Sequence, residues 1–284
     1  MVERRPALTV LAHLTLILGV IVVGFPIYLT MIASTQTATQ IAQSHPLSLL
    51  PGGHGLATWK LVLFGGKSEM GGDVPSALPM LRISLVSSLL IALGKIAISL
   101  LSAFAIVFFR FPLRRLVFWL IFVTLMLPVE VRIGPTYQVV ADLGLLDSYA
   151  GLSLPLIASA TATFLFRQFF LTVPDELVEA ARIDGASPLR FLRDVLVPLS
   201  ATSMAALFVI QFIYGWNQYL WPLLVTTRED MYPIMLGVRR LIAGESFTEW
   251  NVVMATALLA MVPPALVVVL MQKWFVKGLV DSEK

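Results

Sequence analysis

Few of the residue types that do covalent or metal chemistry are available in this chain. Cysteine is absent from its 284 residues, which excludes disulfides, thiolate metal sites and cysteine nucleophiles. The three histidines, His13, His45 and His54, have no spacing that sets two imidazoles on one helix face, so a metal site is not expected. The run FGGKS at 64–68 has the tail of a phosphate-binding loop, but Leu61 occupies the position where that loop needs its first glycine. ATP binding by this chain is therefore not expected. No serine, histidine and acid constellation supplies a nucleophile and its base, so catalysis is expected to reside elsewhere. Two features remain. Lys95 is a cation inside an apolar block, where insertion costs roughly 2.5–3.5 kcal/mol. It could meet an anion in transit, or it could snorkel or pair with a neighbouring helix. The second feature is EAARIDGASP at 179–188, a charged stretch in a strongly apolar chain.

The elements that must position these residues are membrane helices. Hydrophobic residues make up 58% of the chain and charged residues 13%, against roughly 45–50% and about 25% in soluble domains. The mean hydropathy is +0.87, and the net charge of +3 is too small to suggest nucleic acid. Six apolar blocks run at about 8–32, 83–109, 116–133, 149–170, 199–225 and 252–275. Each approaches or exceeds the roughly 20 residues that cross about 30 Å of hydrocarbon as a helix. Strand-like alternation is missing. Pro26, Pro128, Pro155, Pro222, Pro263 and Pro264 fall inside blocks, and kinks are expected there. The first block reads as an uncleaved anchor, being too long for a signal peptide. The whole of 1–284 is expected to be one transmembrane domain.

Orientation follows from lysine and arginine placement. With the N-terminus in the cytosol, that side holds Arg4, Arg5, Arg110, Arg114, Arg115, Arg167, Arg182, Arg190, Arg193, Lys273, Lys277 and Lys284; seven other basic residues fall outside and Lys95 falls mid-membrane. Both termini and the 179–188 stretch are then cytosolic. Within that stretch Thr172–Asp184 reads as a helix with Pro174, Asp175 and Glu176 in its first turn. Gly185 offers a left-handed stop, and Ser187 and Pro188 restart a helix as N-cap and N1. In the second helix Leu189, Leu192, Val195, Leu196 and Leu199 fall on one face, opposite Arg190, Arg193 and Asp194. A helix–turn–helix projecting into the cytosol would either cap its own bundle or dock a partner, with Ala180 and Ala181 permitting close approach.

The stretch EAARIDGASPLRFLRDVLVPLS resembles the EAA loop of inner-membrane permease subunits of binding-protein-dependent ABC importers. The carbohydrate branch, which includes the second maltose permease subunit, is the most similar. The resemblance continues through LPVEVRIGPTYQVVADLGLLDSYAGL (127–152), LFRQFF (165–170), YGWNQYLWPLL (214–224) and FVKGL (275–279), and so spans essentially the whole chain. It implies an all-α permease of six transmembrane helices with both termini cytosolic, in a bacterial inner membrane. It also implies a coupling loop at about 172–198 that seats on a cytosolic ATPase. Glu179 would pair with a basic residue of the ATPase, Ala180 and Ala181 would pack in its cleft, Gly185 would make the bend, and Asp184 and Ala186 would belong to the same coupling set. The implied partners are a second homologous permease, two copies of the ATPase carrying ATP and Mg, and an external binding protein. No cofactor is expected on this chain itself. Phrases at 110–133, 146–152, 159–170 and 275–284 resemble the permeases of sn-glycerol-3-phosphate importers in particular, and disaccharide import is the alternative. An ion-coupled carrier fits less well, because Lys95, Glu130 and Arg132 are a thin set for proton coupling. A phosphate-bearing substrate favours a basic group along its path, which makes Lys95 a candidate. Trp216, Asn217 and Tyr219 are further candidates for the path, with Asn217 equally suited to hydrogen bonding between helices.

Overall fold

The computed structural model of the chain describes residues 6–44, 48–124, 129–243 and 248–281. The chain is mostly helical, and it divides into two compact units, Met1–Pro79 with Gly237–Val262 and Met80–Leu236 with Pro263–Lys284. Among the described residues, three helices are long and apolar enough to cross a membrane: Leu8–Ala33, Ala77–Phe108 and Trp250–Trp274. Two bent pairs qualify when each is taken as one span. Tyr149–Leu156 meets Ala160–Phe170 at 50°, with Pro155 beside the bend, and Pro188–Leu199 meets Ala201–Trp216 at 75°. The predicted block at 116–133 falls on two helices, Arg114–Val123 and Val129–Asp142, on either side of 125–128. Those four residues, with Pro128 among them, lie outside the described residues, as do His45, Arg4, Arg5 and Lys284.

In the first unit, α1 (Pro6–Ala33) keeps apolar side chains such as Leu16, Val20 and Val23 exposed, a surface suited to lipid. A capping box then starts α2 (Ala38–Gln43): Gln40 N–H donates to Thr37 Oγ1 at 3.1 Å, and Thr37 N–H donates to Gln40 Oε1 at 3.0 Å. After α3 (Gly55–Phe64) the chain turns through Gly65, at φ 75°, into an antiparallel pair, β1 (Gly66–Lys67) and β2 (Asp73–Val74). FGGKS therefore closes a helix and opens a strand. A phosphate loop would run from strand into helix, so the geometry agrees with the missing first glycine.

The second unit is organised on α4 (Ala77–Phe108). Ser84, Ser88, Lys95 and Ser99 are all buried on it, and at 3.6 residues per turn they fall within about 60° of one face. Two apolar clusters flank this stripe. Toward the N-terminal half of α4, Ile83 and Ile91 pack with Val140 of α6 (Val129–Asp142), Leu152 of α7 (Tyr149–Ser153), and Trp221 and Val225 of α13 (Leu220–Val225). Toward its C-terminal half, Ile96, Leu100, Ala103 and Phe104 pack with Phe166 and Phe170 of α8 (Ala160–Phe170) and Leu207 of α12 (Ala201–Trp216). The second cluster also takes in Phe191, Leu192 and Leu196, and through them anchors the charged loop. The other helices among the described residues are α5 (Arg114–Val123), the loop helices α9 (Asp175–Ile183), α10 (Pro188–Phe191) and α11 (Val197–Leu199), and α14 (Ile234–Ala243) and α15 (Trp250–Asp281), whose residues are divided between the two units.

Candidate coupling loop and transport site

The first helix of the charged loop, α9, runs Asp175–Ile183, three residues shorter at its start than the sequence suggests. Thr172 and Val173 donate their N–H groups to Phe169 and Phe170 carbonyls, so they close α8 before α9 begins. Pro174 becomes the N-cap and supplies no side-chain acceptor. Asp175 and Glu176 stand in the first turn, where their charge meets the positive end of the helix dipole. At the other end the stop falls at the expected residue. Gly185 has φ 67°, and its N–H donates to the Arg182 carbonyl at 3.0 Å while Ala186 N–H donates to that of Ala181 at 2.9 Å. This is a Schellman closure, in which the left-handed residue is nearly always glycine because a Cβ would crowd the backbone. Ser187 then caps α10 (Pro188–Phe191), its Oγ accepting from Arg190 N–H at 3.3 Å with Pro188 at N1.

Beyond α10 the sequence expectation needs correcting. Residues Leu192–Leu196 form a π-turn before α11 (Val197–Leu199). The wider turn shifts the register, so Phe191, Leu192 and Leu196 are buried while Leu189 is 69% exposed and Leu199 is exposed. In α9, Val178 and Ala181 lean on the apolar cluster beneath, whereas Glu179, Ala180 and Asp184 are exposed and Ile183 is 86% exposed. Thus Ala180 and Ala181 part company: the second seats the helix on its own bundle and the first faces away from it. Arg190 and Asp194 pair across one turn at 3.4 Å, which is worth only about 0.3–0.5 kcal/mol on an exposed helix.

Lys95 is 6% exposed. Its Nζ donates to Gln211 Oε1 at 2.9 Å and lies 3.7 Å from the centroid of the Tyr214 ring. Both partners belong to α12, and sequence reasoning overlooked them. Gln211 is a polar residue in an apolar block, as Asn217 is, and it is Gln211 that makes the interhelical bond anticipated for Asn217. Asn217 itself sits exposed at the C-cap of α12. Trp216 is buried, with its ring 5.8 Å from that of Phe212 in a stacked arrangement. Tyr219, half-buried, holds the N-cap position of α13. The four path candidates therefore do not form one cluster: Lys95 meets Gln211 and Tyr214 instead.

At the other end of the unit Asp147 ties two loops together. Its carboxylate accepts from the Thr227 hydroxyl and the Thr227 N–H, each at 2.6 Å, and from Arg228 N–H at 3.0 Å. The Thr227 hydroxyl and the Arg228 and Thr227 backbone donors hold the Asp147 carboxyl below its ordinary value of 3.8. A depressed folded value stabilises the tie above the ordinary value and releases it as pH falls through the folded one. The tie is therefore complete at neutral pH. Trp221 adds a second link, its Nε1 donating to the Gly151 carbonyl at 3.0 Å.

Residues 95–281, from Lys95 through the charged loop to the end of α15, match the family described as the inner-membrane component of binding-protein-dependent transport systems. The chain belongs to that family. Within it, the sn-glycerol-3-phosphate transport system permease proteins UgpE of Brucella melitensis and of Agrobacterium fabrum are each 61% identical to this chain, and that of Escherichia coli is 57% identical, each over the full length of both chains. Among solved structures, a chain of a bacterial ABC transporter involved in the import of the acidic polysaccharide alginate superposes with a TM-score of 0.76. That match covers 97% of this chain and 99% of the other at 21% identity, so the ABC permease fold is shared well beyond the range of close sequence similarity. A permease of this family is an ABC importer subunit, and the loop at 175–199 stands in it where the EAA resemblance lies.

Proposed function

We propose that this chain is one of two non-identical permease subunits of a bacterial inner-membrane importer for sn-glycerol-3-phosphate. The observation that carries the substrate is the 61% identity, over the whole length, to permeases named for it. The partners that complete such an importer are a second homologous permease, two copies of a cytosolic ATPase that bind ATP and Mg, and an external binding protein. The chain itself binds no cofactor and hydrolyses no ATP. Its six spans form one transmembrane domain with both termini in the cytosol. Glu179, Ala180, Asp184, Gly185 and Ala186 form the surface that seats in the ATPase, and Ala181 keeps α9 on the bundle beneath it. The exposure of Ala180 and Ile183 beside Glu179 supports that assignment, because an apolar strip next to a charge is poorly placed against water.

Two experiments test this reading. Deleting the gene is expected to remove high-affinity, ATP-dependent uptake of sn-glycerol-3-phosphate and to leave maltose uptake intact; the reverse pattern overturns the substrate. For topology, cysteines are best placed at Glu69 and Ser187, both exposed; Ser68 is buried. A membrane-impermeant thiol reagent added to intact cells is expected to label the variant Glu69→Cys and to spare Ser187→Cys. Labelling of both from outside contradicts the orientation.

A further inference from the structure

The partners of Lys95 are unusual for a buried cation. A charge kept for structure alone is ordinarily paired with a carboxylate, and a position kept for packing alone is served better by leucine or methionine. Here the ammonium meets an amide oxygen and a ring face, both neutral. Among the described residues no carboxylate lies within ion-pair distance of it. The serine hydroxyls on the same face of α4 turn to backbone carbonyls, Ser88 Oγ donating to that of Ser84 at 2.6 Å and Ser99 Oγ to that of Ser159 at 3.3 Å, and the ammonium turns to Gln211. Partial charges ease the burial of the ammonium without cancelling its charge. An ammonium carries three donors, and the amide takes one of them. Its cover is also on the outside of the bundle. Ile210, Tyr214 and Asn217 share one exposed face of α12, so the Tyr214 ring stands between the ammonium and that face.

We infer that Lys95, Gln211 and Tyr214 form an anion-transfer subsite. The Tyr214 ring swings aside, a phosphate oxygen of a passing phosphomonoester takes the place of Gln211 Oε1 on the ammonium, and the amide reclaims it when the anion leaves. The neutrality of Gln211 is the device. It solvates the charge well enough to bury it and is displaced by any anionic oxygen, which forms the stronger hydrogen bond. This rests on the proposed phosphate-bearing substrate.

The variant Gln211→Glu tests it. The side chain is nearly isosteric, and it sets a fixed carboxylate on Lys95. Proteoliposomes holding the complete importer and charged with ATP are expected to take up sn-glycerol-3-phosphate about tenfold more slowly or worse, the loss carried by one charge-assisted hydrogen bond. The amount of assembled complex and its Tm should equal or exceed those of the unaltered protein. A merely structural bond gives the opposite result, because the ion pair would replace it and leave uptake unchanged; that result overturns the inference. If Gln211→Glu fails to assemble, the double variant Lys95→Met with Gln211→Leu decides. It removes charge and amide together in an apolar pair. Lost uptake in an assembled complex supports the subsite, and retained uptake overturns it. Failure of the unaltered importer to carry sn-glycerol-3-phosphate overturns instead the substrate on which the inference rests.

Discussion

Replacing Gly185 with proline is expected to abolish import while the chain still inserts in the membrane. Gly185 holds φ 67°, and proline is locked near −65°. Its N–H also donates to the Arg182 carbonyl at 3.0 Å, a bond proline cannot make. Nothing lies within 4 Å of an added Cβ at this position, so the effect comes from the backbone conformation and the lost hydrogen bond rather than from a side-chain clash. A non-glycine residue in the left-handed region costs roughly 1–2 kcal/mol, and proline cannot enter it at all. The break would swing α9 away from α10, and with it the Glu179 and Ala180 surface. Gly185→Asn is the control, since asparagine tolerates the left-handed conformation; it should keep most of the uptake. Glu179→Lys leaves the bend intact and reverses the exposed charge, and it too should stop import. Uptake in whole cells, read beside the amount of protein in the membrane fraction and the ATPase that copurifies with it, checks all three. Normal uptake by Gly185→Pro and Glu179→Lys would remove the coupling role from this loop.

The second large effect is expected at Gly215→Leu. A Cβ on this residue would lie 3.1 Å from the Ser88 Cα and 3.4 Å from the Ile91 Cβ. One neighbour is backbone and cannot rotate away. Small residues at such crossings let two helices approach closely, and the van der Waals packing this permits is one of the forces that associate helices in lipid. Forcing α12 from α4 costs about 1–3 kcal/mol by overpacking, and it also parts Lys95 from Gln211, now 2.9 Å apart. The amount of assembled complex should fall several-fold. Gly53→Ala meets nothing within 4 Å and should leave it unchanged. Quantitative immunoblots of detergent-extracted complex distinguish the two.

Much of the charged loop is legible in the sequence because it is local. Gly185 as the stop, Ser187 as the cap and Pro188 at the first position depend on neighbours within a few residues, and the structure places each as expected. The long spans are legible for a similar reason: α1, α4 and α15 are unbroken apolar runs. What the chain hides is tertiary. The π-turn at Leu192–Leu196 arises where Phe191, Leu192 and Leu196 reach the same cluster as Phe166 and Leu207, and an α-helical wheel consequently misplaces Leu189 and Leu199. The start of α9 is not legible in the sequence because Thr172 and Val173 suit either helix, and only their bonds to Phe169 and Phe170 assign them to α8. Gln211 and Asn217 look alike as polar residues in one block. Their burial separates them, and burial depends on which face of α12 meets α4.

Uptake by the purified importer is the most direct test of the central claim, that this chain forms half of an ATP-driven path for sn-glycerol-3-phosphate. Proteoliposomes should contain this permease, the second permease, the ATPase and the binding protein, with ATP on the ATPase side. They are predicted to accumulate labelled sn-glycerol-3-phosphate against its gradient, and to stop when ATP or this chain is left out. Accumulation that proceeds without ATP on an imposed proton or sodium gradient, or that favours maltose over sn-glycerol-3-phosphate, would contradict the account.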